Sequence, residues 1–153
     1  MITSTSYTPD EDLSLLVDSL KLLSKSQKEN AKLPDFHLVV TGSGPLKKQF
    51  LKIFDQFNKE HNRIKIEAKW FEIDDYPLIV ASADLGICMH MSSSGLDLPM
   101  KVVDLFSCKV PCFAYQYPAI DELVQPAQLS ETKGKNESHL KVSDKPNGSL
   151  FRT

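Results

Sequence analysis

The chain is poor in the features that mark several protein classes. It has three cysteines, Cys88, Cys108 and Cys112, an odd number without Cys-x-x-Cys spacing. That excludes a disulfide framework and fits a reducing compartment, with the thiols read as small core residues. A zinc site built on Cys108 and Cys112 lacks further ligands. No apolar run approaches the roughly 20 residues needed to cross a bilayer. The opening MITSTSYTPDEDL has no basic segment followed by an apolar one, so no signal peptide is visible. An excess of charge of one sign is missing too. Eighteen basic against twenty acidic side chains leave a net charge of -2, which disfavours a nucleic-acid wrapper. There is no internal repeat, no G-x-G-x-x-G and no Walker motif.

What is present suits one soluble α/β domain. The 153 residues are 41% hydrophobic and 25% charged, enough to build a core. Residues 2–6 read as a strand. Thr8, Pro9 and Glu11 predict a helix start with a Thr cap, Pro at the first helical position and a Glu three residues after the cap. Leu13, Leu16, Val17, Leu20 and Leu23 then follow at helical spacing, and the polar stretch from Ser24 ends that helix. Residues 36–41 (FHLVVT) suit a buried parallel strand. Leu46, Phe50, Phe54 and Phe57 mark a second helix, and residues 63–70 alternate like a strand with one wet face. Asp74 and Asp75 cap a short helix to about Ala81. Residues 83–89 form a strand, Pro99 starts a helix to about Ser107, residues 111–115 form a strand, and residues 120–124 open a last helix. Strands alternating with helices predict a Rossmann-like parallel sheet with helices on both faces.

Beyond Val124 the composition changes. Residues 125–153 carry Pro126, Gly134, Pro146 and Gly148 with scattered apolar positions, and read as a flexible insertion or tail after a domain spanning 1–124. Asn136-Glu137-Ser138 and Asn147-Gly148-Ser149 match the glycosylation sequon. Without a secretory signal they read as chance matches.

In an open parallel sheet, ligands sit outside the carboxyl ends of the strands. Three loops there are informative. Gly42-Ser43-Gly44-Pro45 gives a tight turn whose N–H groups, with a helix behind, favour an anion; it equally suits a plain strand-to-helix turn. His90-Met91-Ser92-Ser93-Ser94-Gly95-Leu96-Asp97-Leu98-Pro99 places hydroxyls, a glycine and a helix N-terminus together, an anion cradle to which Lys101 adds charge. Asp104, one turn on, is an acceptor for a ribose diol. The plain alternative is a serine-rich loop followed by an exposed ion pair. Trp70-Phe71-Glu72 beside Asp74 and Asp75 offers an aromatic face and carboxylates for a base with an N–H edge such as guanine, or else a core tryptophan and a helix cap. His37, His61 and His139 have no partner at metal-ligand spacing, so no metal site is expected. His90 stands where strand meets serine loop.

The run ADLGICMHMSSSGLDLPMKVVDLFSCKVPCFAY, residues 83–115, resembles one family: the β-1,4-mannosyltransferases that add the first mannose to dolichol-diphosphate chitobiose. STSYTPDEDLSLLVDSL, TGSGPLKKQF, WFEIDDYPLIVASADLG and Asp121-Glu122-Leu123-Val124 extend the resemblance over about residues 2–124. It implies the two-domain glycosyltransferase-B architecture, with this chain as the C-terminal, donor-binding half. It implies GDP-mannose as donor, with no cofactor, and transfer with inversion to a lipid-linked chitobiose at the cytosolic face of the endoplasmic reticulum membrane. The membrane anchor and acceptor-binding half would lie N-terminal to Met1, and other dolichol-pathway transferases are possible partners. The donor-binding residues implied are Gly42, Gly44, Trp70, Glu72, Ser92, Ser93, Ser94, Gly95, Leu96, Asp97, Lys101 and Asp104. Lys101 would stabilise the leaving diphosphate, and His90 is the local candidate base.

Departures from related transferases are visible. Asp104 stands for the second acid of their Glu-x7-Glu pattern, but Leu96 holds the first position and Asp97 is one place late. The loop after the first strand, Ser4-Thr5-Ser6-Tyr7-Thr8, lacks their Arg and Lys. Asn147-Gly148-Ser149-Leu150-Phe151 matches a family element displaced by an insertion of residues 125–146, and the closing helices are missing after Thr153. A truncated product that binds GDP without transfer is the alternative. A receiver domain using Asp10 and Asp12 would need a further acid where Trp70 and Phe71 stand.

Overall fold

The computed structural model describes residues 1–92, 94–125 and 148–151. Among the described residues six strands form one parallel sheet in the order β3-β2-β1-β4-β5-β6: β1 Ile2–Thr5, β2 Phe36–Gly42, β3 Ile64–Ala68, β4 Gly86–Cys88, β5 Cys112–Tyr115 and β6 Gly148–Phe151. This is the strand order of dinucleotide-binding Rossmann folds, in which the chain reverses its direction of winding beside β1. Ile2 pairs with Val39 on one side and Gly86 on the other.

Alternation along the buried strands sends side chains to both faces, so the sheet needs a helical layer on each. Leu38 and Val40 of β2 and Ile87 of β4 join Leu13, Leu16, Val17 and Leu20 of α1 (Leu13–Glu29) with Phe50, Phe54 and Phe57 of α2 (Lys47–Glu60). On the other face, Ile2, Cys88, Cys112 and Ala114 meet Val80 of α3 (Tyr76–Ala81) and Val102 and Leu105 of α4 (Met100–Ser107), closed by Ile120 and Val124.

The element order follows the reading of the sequence, and its boundaries are corrected at several points. The first helix starts at Leu13: Asp12 is its cap and accepts from the Ser14 and Leu15 N–H groups. Pro9 and Asp10 form a turn closed by the Glu11 N–H donating to the Thr8 carbonyl, and Glu11 leaves the helix altogether. The helix also runs through the polar stretch to Glu29, because Ser24 and Gln27 are buried with partners, the His61 ring and the Pro34 carbonyl. Pro45 precedes the second helix, whose cap position is Leu46. Residues 120–122 make only a 3-10 turn.

Of the expected tail, Gly148–Phe151 adds the edge strand β6 beside β5. Residues 126–147, with Pro126, Gly134, Asn136, His139 and Asn147, and residues 152–153, lie outside the described residues. So does Ser93 of the serine loop. Among the described residues no helix is long and apolar enough to cross a membrane.

Candidate functional site

The carboxyl ends of β1, β2 and β3 open into a cavity of about 580 Å³. Its hydroxyls come from Ser4, Thr5 and Ser6 at the end of β1 and from Thr41 and Ser43 around Gly42; Trp70, Phe71, Ile73 and Tyr76 give an aromatic and aliphatic side, and Lys101 reaches it from α4. Trp70 is 60% exposed, so its face is open to a ligand and does not sit in the core. Tyr76 donates to the Ser4 hydroxyl at 3.4 Å, and its phenol is raised first by burial, with Asp104 nearby adding to the shift. Asp104 itself is exposed, one turn after Lys101.

Gly42 and Gly44 owe their identity to a close approach between two loops. A Cβ on Gly42, whose φ is +127°, would lie 1.9 Å from the Thr5 carbonyl oxygen; one on Gly44 would lie 1.6 Å from that of Ser6. The Leu46 N–H donates to the Tyr7 carbonyl at 3.1 Å, and Lys47 donates to the Gly42 carbonyl at 2.8 Å. The glycines therefore let the β2–α2 loop press on the β1–α1 loop, and that contact shapes one wall of the cavity. Gly42 lines it and Gly44 does not.

The residue that local sequence patterns miss is Glu11. The residue is 3% exposed, and its carboxylate gathers three donors: the Thr5 hydroxyl, the Ser6 N–H at 2.8 Å, and the Lys101 ammonium. A Glu three residues after a Thr looks like a helix cap, and only the fold brings Lys101, ninety residues later, to its carboxylate. Lys101 thus reaches the cavity already paired, not as the free cation or the Asp104 partner expected. Burial pushes its ammonium down to about 8, with Asp10 acting in the opposite direction.

The serine loop forms a second cluster. The Ser92 and Ser94 hydroxyls both turn onto Asp97, the latter at 3.1 Å, and the Gly95 and Leu96 N–H groups donate to Ser92 and Ser94 at 2.8 and 3.2 Å. His90 Nε2 meets Asp97 at 2.7 Å while its Nδ1 faces Asp10 at 3.5 Å. The Ser92 hydroxyl first, and His90 second, hold the Asp97 carboxyl well below the usual carboxylate range. The expected anion cradle therefore already contains an anion, supplied by the chain, and none of its described residues lines the cavity. Both nitrogens of His90 face carboxylates, an arrangement unlike a free base.

The two clusters touch through adjacent acids. Asp10 meets His90, and its carbonyl accepts the Met91 N–H at 3.0 Å; Glu11 next to it holds Lys101. One turn after β1 therefore grips both ends of the β4–α4 loop.

The other expected positions are dispersed. Leu96 is 78% exposed, and Glu72 lines a neighbouring cavity of about 330 Å³ with Lys69, Asp75 and Leu78; Trp70 and Phe71 form the partition shared with the main cavity. Among the described residues no group of three or more His, Cys, Asp or Glu is placed to hold a metal.

A parallel sheet in this strand order with helices on both faces is a Rossmann-like α/β fold, and its main cavity lies outside the carboxyl ends of the strands, where ligands of such folds bind. Two solved structures share the glycosyltransferase-B fold: the pneumococcal O-GlcNAc transferase GtfA in complex with UDP and GlcNAc (TM-score 0.54, 14% identity, 79% of this chain and 21% of that one) and OtsA in its apo form (0.57, 8%, 79% and 30%). The chain belongs to the family of group 1 glycosyl transferases, whose model matches residues 1–143. Among its curated relatives, proteins named chitobiosyldiphosphodolichol beta-mannosyltransferase are 47% identical in Candida albicans and 43% in Homo sapiens, each over 82% of this chain, and 40% in Kluyveromyces lactis over 94%. The chain spans 26% of the length of the first two and 30% of the third.

Proposed function

We propose that this chain is the donor-binding half of an inverting β-1,4-mannosyltransferase that carries mannose from GDP-mannose to dolichol-diphosphate chitobiose. The observation that carries this reading is the convergence of four separate segments, residues 4–6, residues 41–43, the Trp70 loop and Lys101, on one cavity. Trp70 stacks the guanine, while Glu72 stays on the far side of the partition, in the neighbouring cavity. Asp104, beside Tyr76, accepts from the ribose hydroxyls. Hydroxyls, the N-terminus of α4 and Lys101 receive the diphosphate. Serine-loop residues Ser92, Ser94, Gly95, Leu96 and Asp97 stand at the sugar side, where the loop is already ordered by its own carboxylate.

An α-linked donor and a β-linked product require a single displacement. A base must take the acceptor hydroxyl proton as the diphosphate departs, and the departing charge must meet preorganised donors. With both nitrogens of His90 facing carboxylates, the base and the acceptor site are assigned to the remaining length that the curated relatives have. The same kinship supports a site of action at the cytosolic face of the endoplasmic reticulum membrane.

Titration calorimetry with GDP tests the reading. The chain is expected to bind GDP, and Trp70→Ala to weaken it about 5- to 150-fold, the equivalent of losing ~1–3 kcal/mol of base stacking. Absence of binding by the folded chain would overturn it. A GDP-binding chain that, joined to an acceptor-binding half, transfers no mannose would instead be a non-catalytic GDP-binding product.

The affinity is also expected to depend on pH. Because burial disfavours the charged ammonium, Lys101 loses its proton earlier than an exposed lysine does. Its attraction for the diphosphate is present below about 8 and is lost as pH rises through that value. GDP titrations on both sides of it check this, and a flat profile would remove Lys101 from the diphosphate contact.

A further inference from the structure

The three groups that donate to Glu11, namely the Thr5 hydroxyl, the Ser6 N–H and the Lys101 ammonium, belong to three residues that all line the main cavity, whereas Glu11 does not. The carboxylate lies directly behind the cavity wall and is the common partner of its polar members. An ammonium has three N–H donors, and Glu11 occupies one direction. A lysine free to rotate would lose side-chain entropy on meeting a phosphate, up to ~2 kcal/mol for so long a chain. A lysine already fastened has lost it in advance.

We propose that Glu11 is a positioning residue, whose buried carboxylate fastens Lys101 at the cavity edge so that the remaining ammonium donors meet the diphosphate of the donor. This rests on the donor reading of the cavity. The position of Glu11 supports it further. The turn that carries Glu11 is bridged to His90 and accepts the Met91 N–H at Asp10, so the carboxylate and the start of the β4–α4 loop are held in one frame. The charged groups facing Lys101 are thus Glu11 in direct contact and Asp10 nearby.

The test compares GDP with guanosine, by calorimetry on the whole chain, for the parent, Glu11→Gln and Glu11→Asp. Glu11→Gln keeps an acceptor for Thr5 and Ser6 but removes the charge that fastens Lys101. It is expected to weaken GDP at least ten-fold while guanosine changes less than two-fold. Glu11→Asp keeps the charge but draws the ammonium back by one methylene, so it should weaken GDP less than Glu11→Gln, again sparing guanosine. This second variant also carries the test if the first fails to fold. A merely structural Glu11 would shift both ligands together or neither, and equal GDP affinity or tighter GDP binding in Glu11→Gln would overturn the proposal. The two readings fail differently. If the folded parent binds no GDP, the donor site falls and this proposal with it. If the parent binds GDP and the Glu11 variants bind it equally, only the positioning role falls.

Discussion

Lys101→Ala is expected to cost about 3–5 kcal/mol of folding stability, because it leaves the buried Glu11 carboxylate without its counter-charge. That is a large share of the ~5–15 kcal/mol by which a domain is ordinarily stable. Solvent gives little relief, since the Glu11 side chain is 2% exposed, and Thr5 and Ser6 supply dipoles but no charge. Removing both charges should be far milder. A buried ion pair replaced by neutral groups of similar size is often close to neutral in stability, so Glu11→Gln combined with Lys101→Met should recover most of the loss. Denaturant unfolding of the three proteins checks this. A Lys101→Ala protein as stable as its parent would mean that water reaches Glu11. It follows that reduced activity in a lysine variant of any longer transferase must be normalised to folded protein before it is read as lost leaving-group stabilisation.

The second large effect is expected at the loop contact. Gly42→Ala puts a Cβ into a backbone carbonyl and forces a side chain into the left-handed half of the φ range, so about 2–4 kcal/mol should be lost. The strain has nowhere cheap to go. The atom met is the Thr5 carbonyl oxygen of β1, and Gly42 is itself paired with Thr5 in the sheet. The displaced segment also carries two of the groups that hold Glu11, so the cavity wall moves with it. A drop in the thermal midpoint, together with weaker GDP binding by the protein that remains folded, is the expected outcome. A variant that binds GDP and melts like the parent would show that the two loops can separate freely.

The alternation of strands and helices was legible because apolar residues recur at the period of each element and glycine, proline and acidic residues punctuate them. The position of the main cavity at the carboxyl ends of the strands followed from the parallel topology. Two things were not legible. Ser24 and Gln27 look like the end of a helix because a pattern of polarity does not reveal that their partners, His61 and the Pro34 carbonyl, arrive through the fold. Ser92 and Ser94 look like donors for a ligand because the hydroxyls are plain in the sequence, while the choice of Asp97 as their acceptor depends on how the loop closes. Glu11 combines both difficulties. Its neighbours suggest a cap, and its real partner is distant in the chain.

The donor nucleotide is expected in the hydroxyl-lined cavity after β1, β2 and β3. The most direct measurement is a GDP titration of the isotope-labelled chain followed by amide and indole resonances. Saturable shifts are expected at the Trp70 indole and at the backbone amides of Ser6, Gly42 and Ser43. Shifts confined to the 92–97 loop, or none in a chain whose spectrum is that of a folded protein, would contradict this placement.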